Sequence, residues 1–266
     1  VRWKFAFSTL GMPGAGLDEV IDTAHAHGCA GVELRVHDDE FLRPHTPLTE
    51  ARRIGERIQA AGLEISALAG YVRVCSTEES DDAVVASLRR LIDLAAETGA
   101  HGIRVFPGGE PGHHGGAQSR IATVLPQLRQ TGVQLLVETH DTHPTAAEAL
   151  QLVKDLGDPH HAAVLWDALH PWRSGETPEQ TKATLGEYFA YFQVKDVIMD
   201  GEAWTPVLTG AGQIPLDEHA RLLQDYCGWV SLEWEKAWHP QIEPLADALA
   251  STAEWFRRHN PGTMSP

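Results

Sequence analysis

The feature that most constrains this chain is an alternation, repeated eight times, of a short apolar run of β type and a longer stretch of helical period. The runs at residues 3–8, 30–36, 63–69, 101–106, 133–138, 162–167, 188–194 and 229–234 read as strands. The stretches at 17–27, 49–61, 81–98, 118–131, 145–156, 178–185, 216–226 and 242–259 read as helices. In the first helix Leu17, Val20, Ile21 and Ala24 share one face and Gly28 closes the element; Gly62 ends the second. Strands that alternate with helices imply a parallel sheet with right-handed crossovers. Eight pairs of about 33 residues each are what a closed barrel needs. No GxGxxG follows the first strand, as it would in an open dinucleotide-binding sheet. The expected fold is α/β, a single (β/α)8 TIM barrel over residues 1–260, with 261–266 as a flexible tail.

Charge and cysteine content narrow the function classes. Lys+Arg number 21 against 37 Asp+Glu, a formal net charge of −16, which repels a phosphate backbone and argues against a nucleic-acid partner. Cys29, Cys75 and Cys227 are far apart and odd in number, so they make neither a disulfide framework nor a CxxC site. No apolar run approaches the roughly 20 residues of a membrane span. The first residues, VRWKFAFSTL, lack the basic and apolar regions of a signal peptide. A soluble cytoplasmic protein without a membrane partner is the expectation.

In a barrel, chemistry comes from the C-terminal ends of the strands. The fifth run ends LLVE at Glu138 and the sixth ends VLWD at Asp167. The seventh reads YFQVKD, with Gln193 inside it and Lys195 two residues on. The eighth reads WVSLEWE, with Glu233 inside the apolar run and Glu235 after it. Any one such carboxylate also serves as a helix cap or an arginine partner. Four oxygen-bearing side chains on consecutive strands at one rim point to a cation instead, because three crowded carboxylates repel. Carboxylate and amide oxygens are hard ligands that suit Mn²⁺ or Mg²⁺, with Zn²⁺ or Co²⁺ as further choices.

Other polar groups fall at the same rim. His140 follows Glu138 by two residues and keeps its face, and His170 follows Asp167 by three. The stretch ETHDTH is not read as a zinc cluster, because His143 stands beside Pro144 at a helix start. Glu33 and Arg35 end the second strand and Arg104 lies in the fourth, where Glu33 is its candidate partner. These three are read either as a structural ion pair filling the barrel or as substrate contacts. Among Trp166, Trp172, Trp204, Trp234 and Trp238, the loop residues Trp172 and Trp238 are the better candidates for stacking on a sugar. The glycine-rich loop 107–116 is a mobile lid or a surface loop, and it lacks the GK[ST] of a phosphate-binding loop.

The pieces VETHDTHP, WDALHPWRSGETPEQT, FQVKD and SLEWEKAWHP make the chain resemble the sugar phosphate isomerase/epimerase family of xylose-isomerase-like TIM barrels. The resemblance runs from the first strand past the eighth. It implies one divalent cation, commonly Mn²⁺, on Glu138, Asp167, Gln193 and Glu233; the family more often has His at the position of Gln193. It implies His170 as a substrate-facing or second-metal residue and Lys195 as a contact to substrate oxygens. DNA-cutting barrels of the same superfamily need further His ligands, which SALAG on the third strand and Gln193 do not supply.

The implied activity is isomerisation or epimerisation of a sugar or related polyhydroxy carbonyl compound through an enediolate. Glu138 and Glu233 would exchange the proton, while His140, His170, Lys195 and Arg104 orient substrate. Loss of a β leaving group from the same enediolate would make the enzyme a lyase, either a dehydratase or a cleaver of oxidised glycosides. A barrel that only binds sugar or a protein partner is the third reading; fold alone does not exclude it. Barrels of this kind often pair, so a homodimer is one expectation.

Overall fold

The computed structural model describes residues 3–112, 114 and 116–260. The expected tail, 261–266, lies outside the described residues, as do residues 113 and 115 of the glycine-rich loop.

Eight parallel strands close into a barrel: β1 (Lys4–Ser8), β2 (Gly31–Arg35), β3 (Glu64–Arg73), β4 (Gly102–Phe106), β5 (Gln134–Glu138), β6 (Ala162–Asp167), β7 (Phe189–Val194) and β10 (Trp229–Leu232), with β10 paired to both β7 and β1. Helices α1 (Leu17–Ala26), α2 (Leu48–Ala60), α3 (Asp81–Thr98), α4 (Ala117–Thr131), α5 (Ala146–Gln151), α7 (Pro178–Leu185), α8 (Leu216–Leu222) and α9 (Leu245–His259) follow the strands in turn. The expected (β/α)8 barrel is therefore the observed one. No helix of the described residues is long and apolar enough to cross a membrane.

Three departures matter for function. A two-stranded antiparallel hairpin, β8 (Asp196–Asp200) and β9 (Ala203–Val207), is inserted between β7 and α8 where the pattern showed only a connection. A one-turn helix, α6 (His170–Arg173), follows β6, so His170 and Trp172 are helical rather than in a loop. The eighth barrel strand ends at Leu232, which places Glu233 just beyond it. The long fifth helix is also shorter than its pattern: α5 stops at Gln151 and a 3₁₀ turn covers Lys154–Leu156.

Strand parity builds the molecule's two cores. Side chains alternate across a strand, so every second residue points into the barrel. Leu135, Val137, Val164, Trp166, Phe192, Val194, Val230 and Leu232 join the large cluster between the sheet and the helices. Leu136, Ala163, Leu165, Tyr191 and Trp229, of the opposite parity, form a small cluster with Ala6 and Ala67 inside the barrel. Continuing that inward parity towards the C-terminal ends reaches Glu138, Asp167, Gln193 and Glu233. The apolar plug is thus the floor on which the polar rim stands.

One buried group on the outer layer carries a pH dependence. His219 on α8 packs against the rings of Trp166 and Phe192, and its Nδ1–H donates to the Pro215 carbonyl at 2.9 Å. Burial pushes this imidazole down from 6.5 to about 4. The fold therefore favours the neutral ring, and its contribution is intact above pH 6.5 and lost as pH falls towards 4. Between pH 7.5 and 5.0 this residue alone should cost about 2 kcal/mol of stability. Urea unfolding at both pH values tests this: the deficit of His219→Gln relative to wild type should shrink by that amount at pH 5.0. An equal deficit at both would show that His219 is not held neutral.

Candidate active site

Four strands deliver the rim residues to one point. Carboxylate oxygens of Glu138, Asp167 and Glu233 all lie within 4.8 Å of one another, and all three residues are buried. Gln193 pairs in register with Asp167 on one side and Ser231 on the other. Its Nε2 donates to Glu33 Oε1 at 3.1 Å and to Glu233 Oε1 at 3.2 Å. Beneath it, the Tyr191 hydroxyl donates to Glu33 Oε2 at 2.8 Å and stands 2.8 Å from Ser66 Oγ.

Two cations reach into this group. Lys195 Nζ lies 2.9 Å from Asp167 Oδ2 and 2.7 Å from Glu235 Oε1, and touches Glu233 Oε2. Arg104 Nε lies 3.3 Å from Glu138 Oε2, with the guanidinium 4.0 Å from the centre of the Phe106 ring. The expected Arg104–Glu33 pair is replaced by this one. Glu33 is instead satisfied by Tyr191 and Gln193, because both project from the same inward row of β7.

The environments separate the carboxyl groups. Burial raises Glu138 to about 8, against the pull of Arg104 and His140. Burial also raises Glu33, helped by the nearby Glu233 charge. Burial raises Asp167, with Lys195 opposing it. Burial would raise Glu233 too, but Lys195 and Arg104 together hold it below the ordinary carboxylate value. Lys195 is held well above the ordinary lysine range: burial opposes its charge, and the surrounding Asp167, Glu233 and Glu235 overcome that.

Unpartnered atoms show what the group lacks. Gln193 Oε1, Glu138 Oε2 and His170 Nε2 are buried without a hydrogen bond. Glu138 Oε2 has only its ion pair with Arg104, and Asp167 Oδ2 only that with Lys195. Buried polar atoms are normally hydrogen-bonded, and three oxygens without a hydrogen bond on three neighbouring side chains fit a hard divalent cation. Glu138, Asp167, Gln193 and Glu233 are the residues that would hold it.

Above this point opens a cavity of about 680 Å³ lined by Leu10, His37, Tyr71, Arg73, Glu79, Arg104, Phe106, Glu138, His140, Asp141, Trp204, Glu233, Glu235 and Trp238. His140 stays over the mouth as its spacing from Glu138 implies, with its ring 4.6 Å from that of Phe106 and 4.2 Å from that of His170. Nitrogens of His140 and His170 also group with Glu138. Asp141, at φ 47°, accepts from His140 Nδ1 at 2.7 Å. That left-handed backbone is costly for a residue with a Cβ and turns the carboxylate back onto the ring. Despite burial, Glu138 and Asp141 raise His140, whereas burial with the neighbouring His140 and Lys195 lowers His170 well below the ordinary value.

Several expected contacts fall elsewhere. Arg35 is spent on the Tyr71 hydroxyl, Asp39 and Glu40, at 2.8, 2.8 and 2.9 Å, and is not among the cavity-lining residues. Asp39 and Glu40 sit in the β2–α2 connection, which carries no periodic signal, and Tyr71 is on β3. Glu33 lies below the cavity, fully enclosed. Trp172 packs half-buried against the helix-layer core and does not line the cavity. Trp238 does line it and is 54% exposed. Trp204 on β9 and Glu235 line it too, and neither was singled out from the sequence as a site residue. The start of the glycine-rich loop is tied down, since Thr142 Oγ1 donates to the Gly108 carbonyl at 2.7 Å.

A family described as xylose isomerase-like TIM barrel matches residues 21–259, and the chain belongs to it. Solved structures with the same fold include the IolI protein with a bound zinc atom, at 16% identity and TM-score 0.79, covering 99% of this chain and 100% of that one. The probable 3-DHS dehydratase AsbF of Bacillus anthracis is 19% identical, with TM-score 0.76 and coverage of 97% and 100%. D-psicose 3-epimerase, solved in the presence of D-fructose, is 17% identical, with TM-score 0.74 and coverage of 96% and 98%. A search of curated proteins finds no match. At these identities the likeness is one of fold.

The floor of the site is open to a direct test. Tyr191→Phe removes the hydroxyl that donates to the enclosed Glu33 carboxylate. Urea unfolding should show a loss of about 1–3 kcal/mol, the cost of leaving a buried acceptor short of its donor. A change within about 0.5 kcal/mol would show that Glu33 does not depend on this bond.

Proposed function

We propose that this chain is a divalent-metal-dependent isomerase or epimerase acting on a sugar or related polyhydroxy carbonyl compound. The observation that carries the reading is the convergence of Glu138, Asp167 and Glu233, two of which line a cavity of small-sugar size, with Gln193 Oε1 buried without a hydrogen bond. Mn²⁺ is the preferred ion, with Mg²⁺, Co²⁺ and Zn²⁺ as alternatives. When bound, the ion would hold substrate oxygens and offset negative charge that develops on them.

The protein's own groups supply the rest. Glu138 ends β5, Glu233 follows β10, and both line the cavity, so a carbon held between them offers a face to each. One, as a carboxylate, takes the proton beside the carbonyl, leaving an enediolate, and the other, as a carboxylic acid, gives its own proton to the opposite face and inverts the centre. Return to the neighbouring carbon isomerises instead. Arg104 Nη1, buried without a protein partner, is a donor for a substrate oxygen. His140 and His170 stand on the side of Glu138, and the indoles of Trp204 and Trp238 form apolar walls at the mouth.

A second reading rests on the two histidines. His140, backed by Asp141, lies next to Glu138 and beside His170, whose Nε2 makes no hydrogen bond and stands 4.0 Å from Asp167 Oδ1. A proton donor so placed suits a departing β-oxygen, which would turn the same proton abstraction into dehydration or glycoside cleavage. The solved relatives named as an epimerase and as a dehydratase are compatible with either outcome.

Calorimetric titration of Mn²⁺ into chelator-stripped protein should give about one ion per chain with a dissociation constant on the order of micromolar or tighter. Glu138→Gln should abolish it, and both Glu138→Gln and Glu233→Gln should lower turnover by about 10²–10⁴-fold. Product mass in D₂O separates the outcomes: an epimerase adds one deuterium, a lyase releases water or an aglycone. Absence of Mn²⁺ binding in the wild-type protein would sink the metal-dependent mechanism.

A further inference from the structure

Lys195 is not among the residues that line the cavity. Its ammonium is enclosed and ringed by Asp167, Glu233 and Glu235, and the first two are residues that would hold the divalent ion. Both residues, Asp167 and Glu233, belong to the convergent carboxylate cluster. Two cations cannot share those lone pairs at close range, since each would repel the other in a poorly screened interior. Glu235 differs from the other two: it lies outside the convergent cluster, on the segment leaving β10.

We propose that Lys195 is a built-in counter-cation that competes with the divalent ion for Asp167 and Glu233, and that Glu235 is the residue to which its ammonium retreats when the ion enters. The inference rests on the metal reading proposed above and adds a positioning pair, Lys195 and Glu235, to it. In the ion-free protein the ammonium neutralises a cluster that would otherwise repel itself. Ion entry transfers Asp167 and Glu233 from the ammonium to the ion. Glu235, 2.7 Å from Nζ at the start, keeps the displaced charge paired. An ammonium left buried without a partner would be costly, so the device needs both residues.

The test is a double-mutant cycle read by Mn²⁺ titration and by thermal unfolding of the ion-free protein, with no activity assay. Lys195→Met should bind Mn²⁺ at least about tenfold more tightly, and its ion-free form should unfold at a lower temperature than wild type. Glu235→Gln should weaken Mn²⁺ binding in the wild-type background and much less in the Lys195→Met background, because its role runs through the lysine. Lys195→Gln, which keeps a donor for the carboxylates, stands in if Lys195→Met does not fold. Equal or weaker binding by the lysine variant overturns the inference, as does a Glu235→Gln effect of the same size in both backgrounds. Absence of Mn²⁺ binding in wild type and all variants is a different failure, that of the metal reading itself.

Discussion

The structure depends on a charge balance that a protein interior does not tolerate cheaply. Glu33, Glu138, Asp167, Glu233 and Glu235 are all buried at one end of the barrel. The buried cations that reach them are Lys195 and Arg104, with His140 beside Glu138. An ionised carboxylate out of water needs a partner or gives up its charge. Both responses occur here. Glu233, between Lys195 and Arg104, stays ionised, whereas Glu138 and Asp167 are pushed towards the protonated form. Keeping so many acids together is unfavourable for stability alone, and this is the physical ground for assigning them a function.

The fold makes such a cluster possible through strand parity. Each of β5, β6 and β7 turns an apolar residue inward first and a polar one later: Leu136 before Glu138, Leu165 before Asp167, Tyr191 before Gln193. That is also why the cluster was legible in the sequence. A polar side chain ending an apolar run is a local signal, and period two fixes which way it faces. The eightfold alternation gave the barrel for the same reason. What did not show lies in contacts between segments far apart or without period. The hairpin β8–β9 contains Gly201 and Pro206 and has one face towards solvent, so Ile198 is 47% exposed and the segment reads as a loop. The enclosure of Arg35 by Asp39, Glu40 and Tyr71 needs a tight connection and a neighbouring strand at once. Trp172 was misplaced because the single turn of α6 is too short to carry a periodic signature.

The inserted hairpin changes what the mouth of the barrel offers. Asp196 anchors it: its carboxylate accepts from the backbone N–H groups of Val197, Gly210, Gly212 and Ile214, so the chain leaves and returns at one fixed point. Trp204 is thereby held over the cavity, against the ring of His239 at 5.2 Å. Trp238 has the Arg35 guanidinium 5.3 Å from its ring centre. Both indoles connect to the buried acids through Glu235: His239 Nε2 lies 3.8 Å from Glu235 Oε2, and the Trp238 backbone N–H donates to the Glu235 carbonyl at 3.0 Å. The mouth of the barrel and its floor therefore share a residue, as strand-end and loop groups do at the catalytic face of a barrel.

Gln193 shows how the floor and the cluster are joined. An imidazole at this position would offer one ring nitrogen inward and at most one N–H behind it. The amide has two donor hydrogens, and it uses them on Glu33 below and Glu233 beside it, which leaves Oε1 facing no donor. Glu33 is in turn fixed by Tyr191, and Tyr191 by Ser66. A continuous set of hydrogen bonds therefore runs from the apolar plug to the orphaned amide oxygen, setting its direction through groups that never reach the cavity. On this argument Gln193 sets the wiring of the site as much as it offers a ligand oxygen. It ties the orientation of Glu233, one of the two proposed proton-transfer groups, to a buried carboxylate on the far side of the barrel.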